Sequence, residues 1–286
     1  MSINKIQILF GDSREILKDF PNNHFNLIVT SPPYADARKK HYDSIRPKDY
    51  PDFFLSFHEQ FWRVLTDDGS MVINIKDKVI DGKRDRYVWK TIMALNDAGW
   101  ISVEDYIWHK PNAMPGFWKN RLRDEWEYCF HLTKNKEFKM YQNAIKKPIG
   151  QWAKKRLENL SGKSLSRHNS ENESGFGRDL TRWVEKDSVL PGNTISIPLV
   201  GKNMGHPAVY PLGLPDFFIK LFSKENDNVL DPFAGSGTTG VAATNLNRNV
   251  VLIDSKEEYY SLMKDRFSEQ NNLFLITESR MKLVST

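Results

Sequence analysis

Asp231-Pro232-Phe233-Ala234-Gly235-Ser236-Gly237-Thr238-Thr239 follows a short apolar run, Asn228-Val-Leu230, and leads into Thr238-Thr-Gly-Val-Ala-Ala-Thr244. The apolar run reads as the end of a strand and the later segment as the opening of a helix, so the stretch is a strand-to-helix turn bent at Gly235 and Gly237. Glycine there permits φ > 0 and lets a ligand come close to the backbone. The unpaired N–H groups of the following helix point into the same space. Asn249-Val-Val-Leu-Ile253 reads as the next strand and ends at Asp254. A carboxylate at that tip can hold both hydroxyls of a ribose. A plain tight turn would explain the glycines alone; Asp231 and Asp254 at two successive strand tips favour a nucleoside pocket. The spacing departs from the Gly-x-Gly-x-x-Gly dinucleotide fingerprint.

Toward the N-terminus the same grammar recurs. Lys5-Ile-Gln-Ile-Leu-Phe10 alternates as a strand and ends at Gly11-Asp12, with Ser13 placed to cap a helix over 14–20. Phe25-Asn-Leu-Ile-Val29 reads as a buried parallel strand. It stops at Thr30-Ser31-Pro32-Pro33-Tyr34. The prolines remove two backbone donors and stiffen the chain where, in an open α/β sheet, ligands bind. Alone, the tetrapeptide would be an ordinary strand stop.

Together the two stretches resemble amino-group DNA methyltransferases, whose signatures are Asp-Pro-Phe-x-Gly-Ser-Gly-Thr and Ser-Pro-Pro-Tyr. The catalytic stretch precedes the cofactor stretch, which is similar to the permuted group labelled β. The resemblance covers most of residues 5–135 and 200–265. It implies a Rossmann-like methyltransferase fold: a mostly parallel seven-stranded sheet with an antiparallel last strand, in circularly permuted motif order, plus a small target-recognition insertion. It implies S-adenosylmethionine as cofactor. The cofactor would lie against Asp12, Asp231, Pro232, Phe233, Ala234, Gly235, Ser236, Gly237, Thr238 and Asp254, with Asp12 on the adenine side. His206, in a His-Pro-Ala run, would lie near the methionine end. Catalysis would fall to Ser31, Pro32, Pro33 and Tyr34.

Between these landmarks, Ala35 to Ser44 is polar and aperiodic and reads as a mobile loop beside the site. A helix over 50–65 carries Phe53, Phe54, Phe57, Phe61 and Trp62 on one face, a stripe that reads as core. Asp67-Asp-Gly69 closes it. Strands follow at 70–75, 100–108 and 126–132, with a helix at 86–96. The last two strands supply the antiparallel pair that the resemblance requires.

At 286 residues the chain can bury one large core plus a small module. Its 40% hydrophobic and 27% charged content is ordinary for a globular protein, and a formal charge of +5 is compatible with nucleic acid. The excess is concentrated: from Lys146 to Asp187 ten Lys or Arg stand against six Asp or Glu. That segment holds Trp152 and Trp183 and a Ser-, Asn- and Gly-rich run at 161–177. Residues 136–200 are therefore expected to be the target-recognition region, suited to phosphate and base contacts. Residues 1–135 and 201–286 form the catalytic and cofactor-binding domain. A single cysteine, Cys129, excludes an internal disulfide. With no membrane-length apolar run and no signal-peptide pattern, the chain reads as cytoplasmic.

The chemistry follows from the residue types. An exocyclic amine conjugated with its ring is a poor nucleophile. Two acceptors, Ser31 Oγ and the Pro32 carbonyl, can take both of its N–H groups and draw nitrogen toward tetrahedral geometry. Tyr34 can stack on a base flipped from the duplex. No metal is needed, and the seven histidines show no metal-ligand spacing. Cys129, between Tyr128 and Phe130, reads as core, which disfavours ring-carbon methylation through a thiolate. The serine resembles the cytosine-N4 type; aspartate at that position mostly marks adenine N6. The expected activity is site-specific cytosine-N4 methylation of double-stranded DNA in a restriction–modification system. The cognate endonuclease is a functional partner, and the enzyme is a monomer or homodimer. Alternatives are an N6-adenine enzyme, an inactive nucleic-acid-binding relative, and an enzyme acting on RNA or protein. Among the last, an Asn-Pro-Pro-Tyr glutamine methyltransferase is disfavoured by its opposite motif order.

Overall fold

Runs such as Asn249-Val-Val-Leu-Ile-Asp254 lack polar alternation because both faces of the strand are covered, which is the pattern of a parallel sheet. The computed structural model describes residues 4–36, 45–151, 154–155, 159, 166–167, 178–179, 187–200, 211–268 and 274–280. Nine strands form the main sheet. They are β1 (Asn4–Phe10), β2 (Phe25–Thr30), β3 (Leu65–Ile75), β4 (Ile101–His109), β5 (Trp126–Thr133), β6 (Thr194–Ser196), β7 (Asn228–Asp231), β8 (Asn249–Asp254) and β9 (Phe274–Arg280). Their spatial order is β6-β4-β5-β3-β2-β7-β8-β1-β9. All neighbours are parallel except β5, which is antiparallel to both β3 and β4.

The mostly parallel sheet matches expectation, but the count of seven is corrected to nine. The additions are β6, three residues inside the stretch read as insertion, and β9, which lies beyond the resemblance. The antiparallel strand is internal, because β6 pairs parallel with β4 outside it. The expected helix over 50–65 is two helices, α2 (Tyr50–Leu55) and α3 (His58–Val64). At the junction Ser56 Oγ donates 2.6 Å to the Phe53 carbonyl, a local bond that competes with the helix ladder. Asp67-Asp-Gly69 lies within β3 rather than closing a helix. The first helix is only α1 (Ser13–Ile16), followed by a 3-10 turn; its cap is Asp12, not Ser13. The remaining helices are α4 (Tyr87–Asp97), α5 (Gly213–Phe222), α6 (Thr238–Asn245) and α7 (Glu257–Ser268).

The aromatic stripe is core, as expected. Phe54, Phe57 and Phe61 are buried, and each full burial of such a side chain is worth roughly 1.5–3 kcal/mol. Phe57 also meets Phe233 edge-on at 5.0 Å, so the same cluster pins the glycine turn.

Two contact units divide the chain, residues 142–192 and the rest. The smaller is narrower than the insertion expected at 136–200. Tyr141 is tied to the larger unit by its N–H to the Leu221 carbonyl at 2.6 Å, and Asn193 by its carbonyl, which accepts Ile107 N–H at 2.9 Å. Within the smaller unit, short antiparallel pairings join Lys147–Pro148 to Ser188–Val189 and Ser166–Arg167 to Arg178–Asp179. Residues 37–44 of the expected loop, Trp152, Trp183, most of 161–177, and His206 with its His-Pro-Ala run lie outside the described residues. Among the described residues no helix is long and apolar enough to cross a membrane.

Candidate active site

Both signature stretches lie at the carboxyl ends of adjacent strands, β2 and β7. They are joined directly: Thr30 Oγ1 donates to Asp231 Oδ1 at 2.7 Å. The same carboxylate accepts the Phe233 N–H at 3.2 Å and Thr239 Oγ1 at 2.5 Å. Asp231 is 0% exposed, so it shapes the pocket through the turn and presents no side-chain atom to a ligand.

The rest of the turn is similarly occupied from within. Pro232 gives its carbonyl to Ser13 Oγ at 2.5 Å, and Phe233 is held in the aromatic cluster. Ala234 donates its N–H to the Ile253 carbonyl, and Gly237 donates to the Ala234 carbonyl. Ser236 and Thr238 are buried, their hydroxyls 3.3 Å apart. Arg266 on α7 donates to the Ser236 carbonyl at 2.8 Å. Of the nine turn residues only Phe233 and Gly235 are not buried. What the turn leaves open to a ligand is therefore its backbone and shape. Two glycines make this possible. Gly235 and Gly237 have φ of 52° and 74°, and a Cβ on Gly237 would lie 3.0 Å from Met263 Cγ.

Asp254 and Asp12 are brought to one edge, since Phe10 pairs with Asp254 and Gly11 N–H donates to the Asp254 carbonyl at 3.0 Å. Asp254, 8% exposed, accepts the Gly235 N–H on Oδ2 at 2.8 Å and the Lys256 N–H on Oδ1 at 2.9 Å. Two donors leave lone pairs on this carboxylate for further hydroxyls. Burial raises its pKa to about 6 against the pull of those two N–H groups. Asp12 differs. Burial pushes its carboxyl up, but Arg14 outweighs that with hydrogen bonds and charge and holds it below the usual range. Arg14 grips it through Nε at 3.0 Å and Nη2 at 2.5 Å, and Asp12 accepts the Arg14 N–H as the cap of α1. Asp12 is thus half-buried and ion-paired within its own turn.

The tetrapeptide is held by residues from elsewhere in the chain. Tyr50 on α2 donates to the Pro33 carbonyl at 2.8 Å. Pro32 is buried. The Tyr34 hydroxyl donates to Glu127 Oε2 at 2.6 Å and lies 3.3 Å from Asn74 Oδ1. Burial and then the Glu127 charge push the Tyr34 hydroxyl well above its ordinary pKa, keeping it neutral and able to donate. Glu127 is buried and ion-paired to Lys110, also buried, whose ammonium sits 4.5 Å from the Trp108 ring centre. The result is a directed arrangement in which Lys110 holds Glu127 and Glu127 accepts from Tyr34. Ser31 is partly exposed at the start of the same tetrapeptide.

Sequence reasoning missed Thr30, Tyr50, Asn74, Lys110 and Glu127. The one signal was Glu127 itself: a charge inside the apolar run Trp126–Leu132 demands a buried partner. Cys129 is fully buried on β5 and its thiol is pushed up by burial, so it offers no thiolate. Among the described residues no cluster of three or more His, Cys, Asp or Glu forms a metal-binding group.

A family model described as DNA methylase matches residues 25–265. The chain belongs to the DNA methylase family. Type II methyltransferase M.PvuII of Proteus hauseri is 29% identical over 284 residues, covering 91% of this chain and 83% of that one. The solved structure of PvuII DNA methyltransferase (cytosine-N4-specific) superposes with a TM-score of 0.70 at 26% identity, over 94% of this DNA methylase and 90% of that chain. The M1.HpyAVI–SAM complex superposes with a TM-score of 0.59 at 25% identity, over 92% and 98%. These likenesses agree with the mostly parallel sheet and the two signature stretches described above.

Proposed function

We propose that this DNA methylase transfers a methyl group from S-adenosylmethionine to the N4 amine of cytosine at a specific site in double-stranded DNA. The observation that carries the reading is the placement of Ser31 to Tyr34 at the end of β2, tied to the glycine turn through the Thr30–Asp231 bond, with Tyr34 held by the buried Glu127. A serine there and the cytosine-N4-specific neighbour both favour cytosine over adenine.

The residues fit the cofactor. Gly235 presents bare backbone, and the Asp254 carboxylate keeps lone pairs suited to ribose hydroxyls. Asp12 and Phe233 border the same edge. When bound, S-adenosylmethionine supplies an electrophilic methyl on a sulfonium. Ser31 Oγ and the Pro32 carbonyl accept the two amine N–H groups. As nitrogen gains its methyl it loses one proton, which its Ser31 acceptor passes on to solvent. The Tyr34 ring, fixed through its hydroxyl, is a stacking surface for a flipped base. Residues 142–192 read the recognition sequence; support comes from the basic excess at 146–187. A restriction endonuclease of the same specificity is the functional partner.

Tritiated methyl transfer to genomic DNA, followed by nucleoside mass spectrometry, tests the reading. N4-methylcytosine is expected; N6-methyladenine overturns the base choice, and no methylated base overturns the activity. Tyr34→Phe keeps the ring and removes its bond to the Glu127 carboxylate, so it should slow single-turnover transfer about 10–100-fold, the worth of one hydrogen bond to a charged group, at unchanged cofactor affinity. Exchanging 142–192 for a relative's segment should change the methylated sequence; an active chimera with the original specificity would move recognition elsewhere.

A further inference from the structure

Between β4 and β5, residues 110–125 leave the sheet at the edge where the parallel strands end. They carry the most exposed large apolar side chains among the described residues: Phe117 at 93%, Leu122 at 89% and Met114 at 80%. Such clustering on a surface marks an interaction site. The segment itself is braced. Arg84 and Arg121 both hold Asp124, at 2.6 and 3.4 Å. Arg123 donates to the Ala113 carbonyl, and Lys110 N–H to the Glu125 carbonyl. Asn112 bonds Leu199 N–H and carbonyl at 2.6 and 3.0 Å. The Arg121 guanidinium stacks 4.4 Å above Trp118. A braced base therefore holds apolar tips in water.

Cations flank the tips. Lys119 lies between Phe117 and Leu122 in sequence and makes no ion pair among the described residues. Lys83 is exposed on a neighbouring hairpin, whose Gly82 faces Asn120. Apolar points flanked by the exposed cations Lys119 and Lys83 complement a polyanion with an apolar interior, which describes duplex DNA. Location favours the same partner. The segment starts at Lys110, whose ammonium holds Glu127 and through it Tyr34.

We infer that residues 113–122 form a wedge that enters the duplex beside the target, with Phe117 filling the gap left by the extruded base and Lys119 on a flanking phosphate. The inference rests on the DNA-methylation reading above. Apolar side chains inserted at a base step offset lost stacking, and an aromatic ring stacks on any base.

The probe is a duplex carrying the site that the wild type methylates, with 2-aminopurine at the target position. Phe117→Ala should lose most of the fluorescence rise on binding and, on the unlabelled duplex, raise KM for DNA about tenfold, with cofactor affinity and thermal midpoint unchanged. A mismatched partner opposite the target removes the pairing that the wedge must overcome, so on that duplex the variant should recover to within about threefold of wild type. Phe117→Trp should retain function, and Leu122→Ala should show a weaker form of the same defect. Wild-type behaviour of Phe117→Ala on both duplexes overturns the wedge while leaving the methylase reading intact. A wild type that methylates no DNA removes both. Two other occupants would also overturn it: a second copy, seen as a DNA-independent dimer in sedimentation that Phe117→Ala dissolves, or a membrane, seen as Phe117-dependent binding to phosphatidylglycerol vesicles.

Discussion

The turn at 231–239 and the tetrapeptide at 31–34 end adjacent strands, yet they are held in opposite ways. The turn is closed mostly from its own neighbourhood: Asp231 binds Phe233 and Thr239, and Gly237 binds Ala234. The tetrapeptide is suspended from distant parts of the chain: Tyr50 on α2, Asn74 on β3, and Lys110 with Glu127 beside β5. A ligand cradle can thus be local, whereas a reacting group takes its orientation from the whole sheet. Thr30 is where the two meet.

Breaking that meeting point should have the largest effect. Asp231→Ala orphans the Thr30 and Thr239 hydroxyls and the Phe233 N–H, at about 1–3 kcal/mol for each buried group left unpaired. Urea unfolding should show a loss of several kcal/mol, and any folded fraction should bind cofactor poorly. A loss below about 1 kcal/mol would mean that the two sites are independent.

The suspended site can be probed by a double-mutant cycle. Lys110→Met leaves the Glu127 carboxylate buried without its cation, which should cost about 3–5 kcal/mol. Adding Glu127→Gln removes the stranded charge and should recover much of that stability, though not the polarisation of Tyr34. Additive losses would show that the pair is not coupled.

The smallest effect concerns the cradle and pH. The folded Asp254 pKa of about 6 lies above its unfolded value, so its stability contribution is greatest in acid and falls as pH rises toward 6. With ribose hydroxyls on Asp254, as proposed, cofactor binding should have the opposite slope, because they favour the ionised carboxylate. Calorimetric affinity should fall about tenfold between pH 7.5 and 5, a change of one pK unit or 1.4 kcal/mol. Asp254→Asn should flatten that profile; an unchanged slope would assign the effect to another group.

The same contrast explains what was legible in the sequence. The turn could be read because its glycines and carboxylates are contiguous. Ser31 to Tyr34 could be read as a signature, but its supports could not: Tyr50 resembled one more aromatic in a core stripe, and Lys110 one more surface cation. Lys110 meets Glu127 through the register of β4 against β5, where Trp108 faces Glu127, and Asn74 comes to the site through that of β3 against β5, where it faces Cys129. Periodicity reports which face of a strand is buried, not which strand lies beside it. The short β6 failed for a related reason, because three residues are too few to show a period. The split at Ser56 came from one side-chain hydrogen bond that an apolar stripe does not register.

β1 has a consequence for how the protein is made. It leaves the ribosome long before its two neighbours in the sheet, β8 and β9. At ~5–20 residues per second, the roughly 240 residues between β1 and β8 take about 10–50 s to synthesise. During that interval Ile6, Ile8 and Leu9 have no native partner, and both edges of the strand are open to pairing with other chains. The pocket proposed for the cofactor borders this late seam, so a nascent chain completes it only once β8 has emerged.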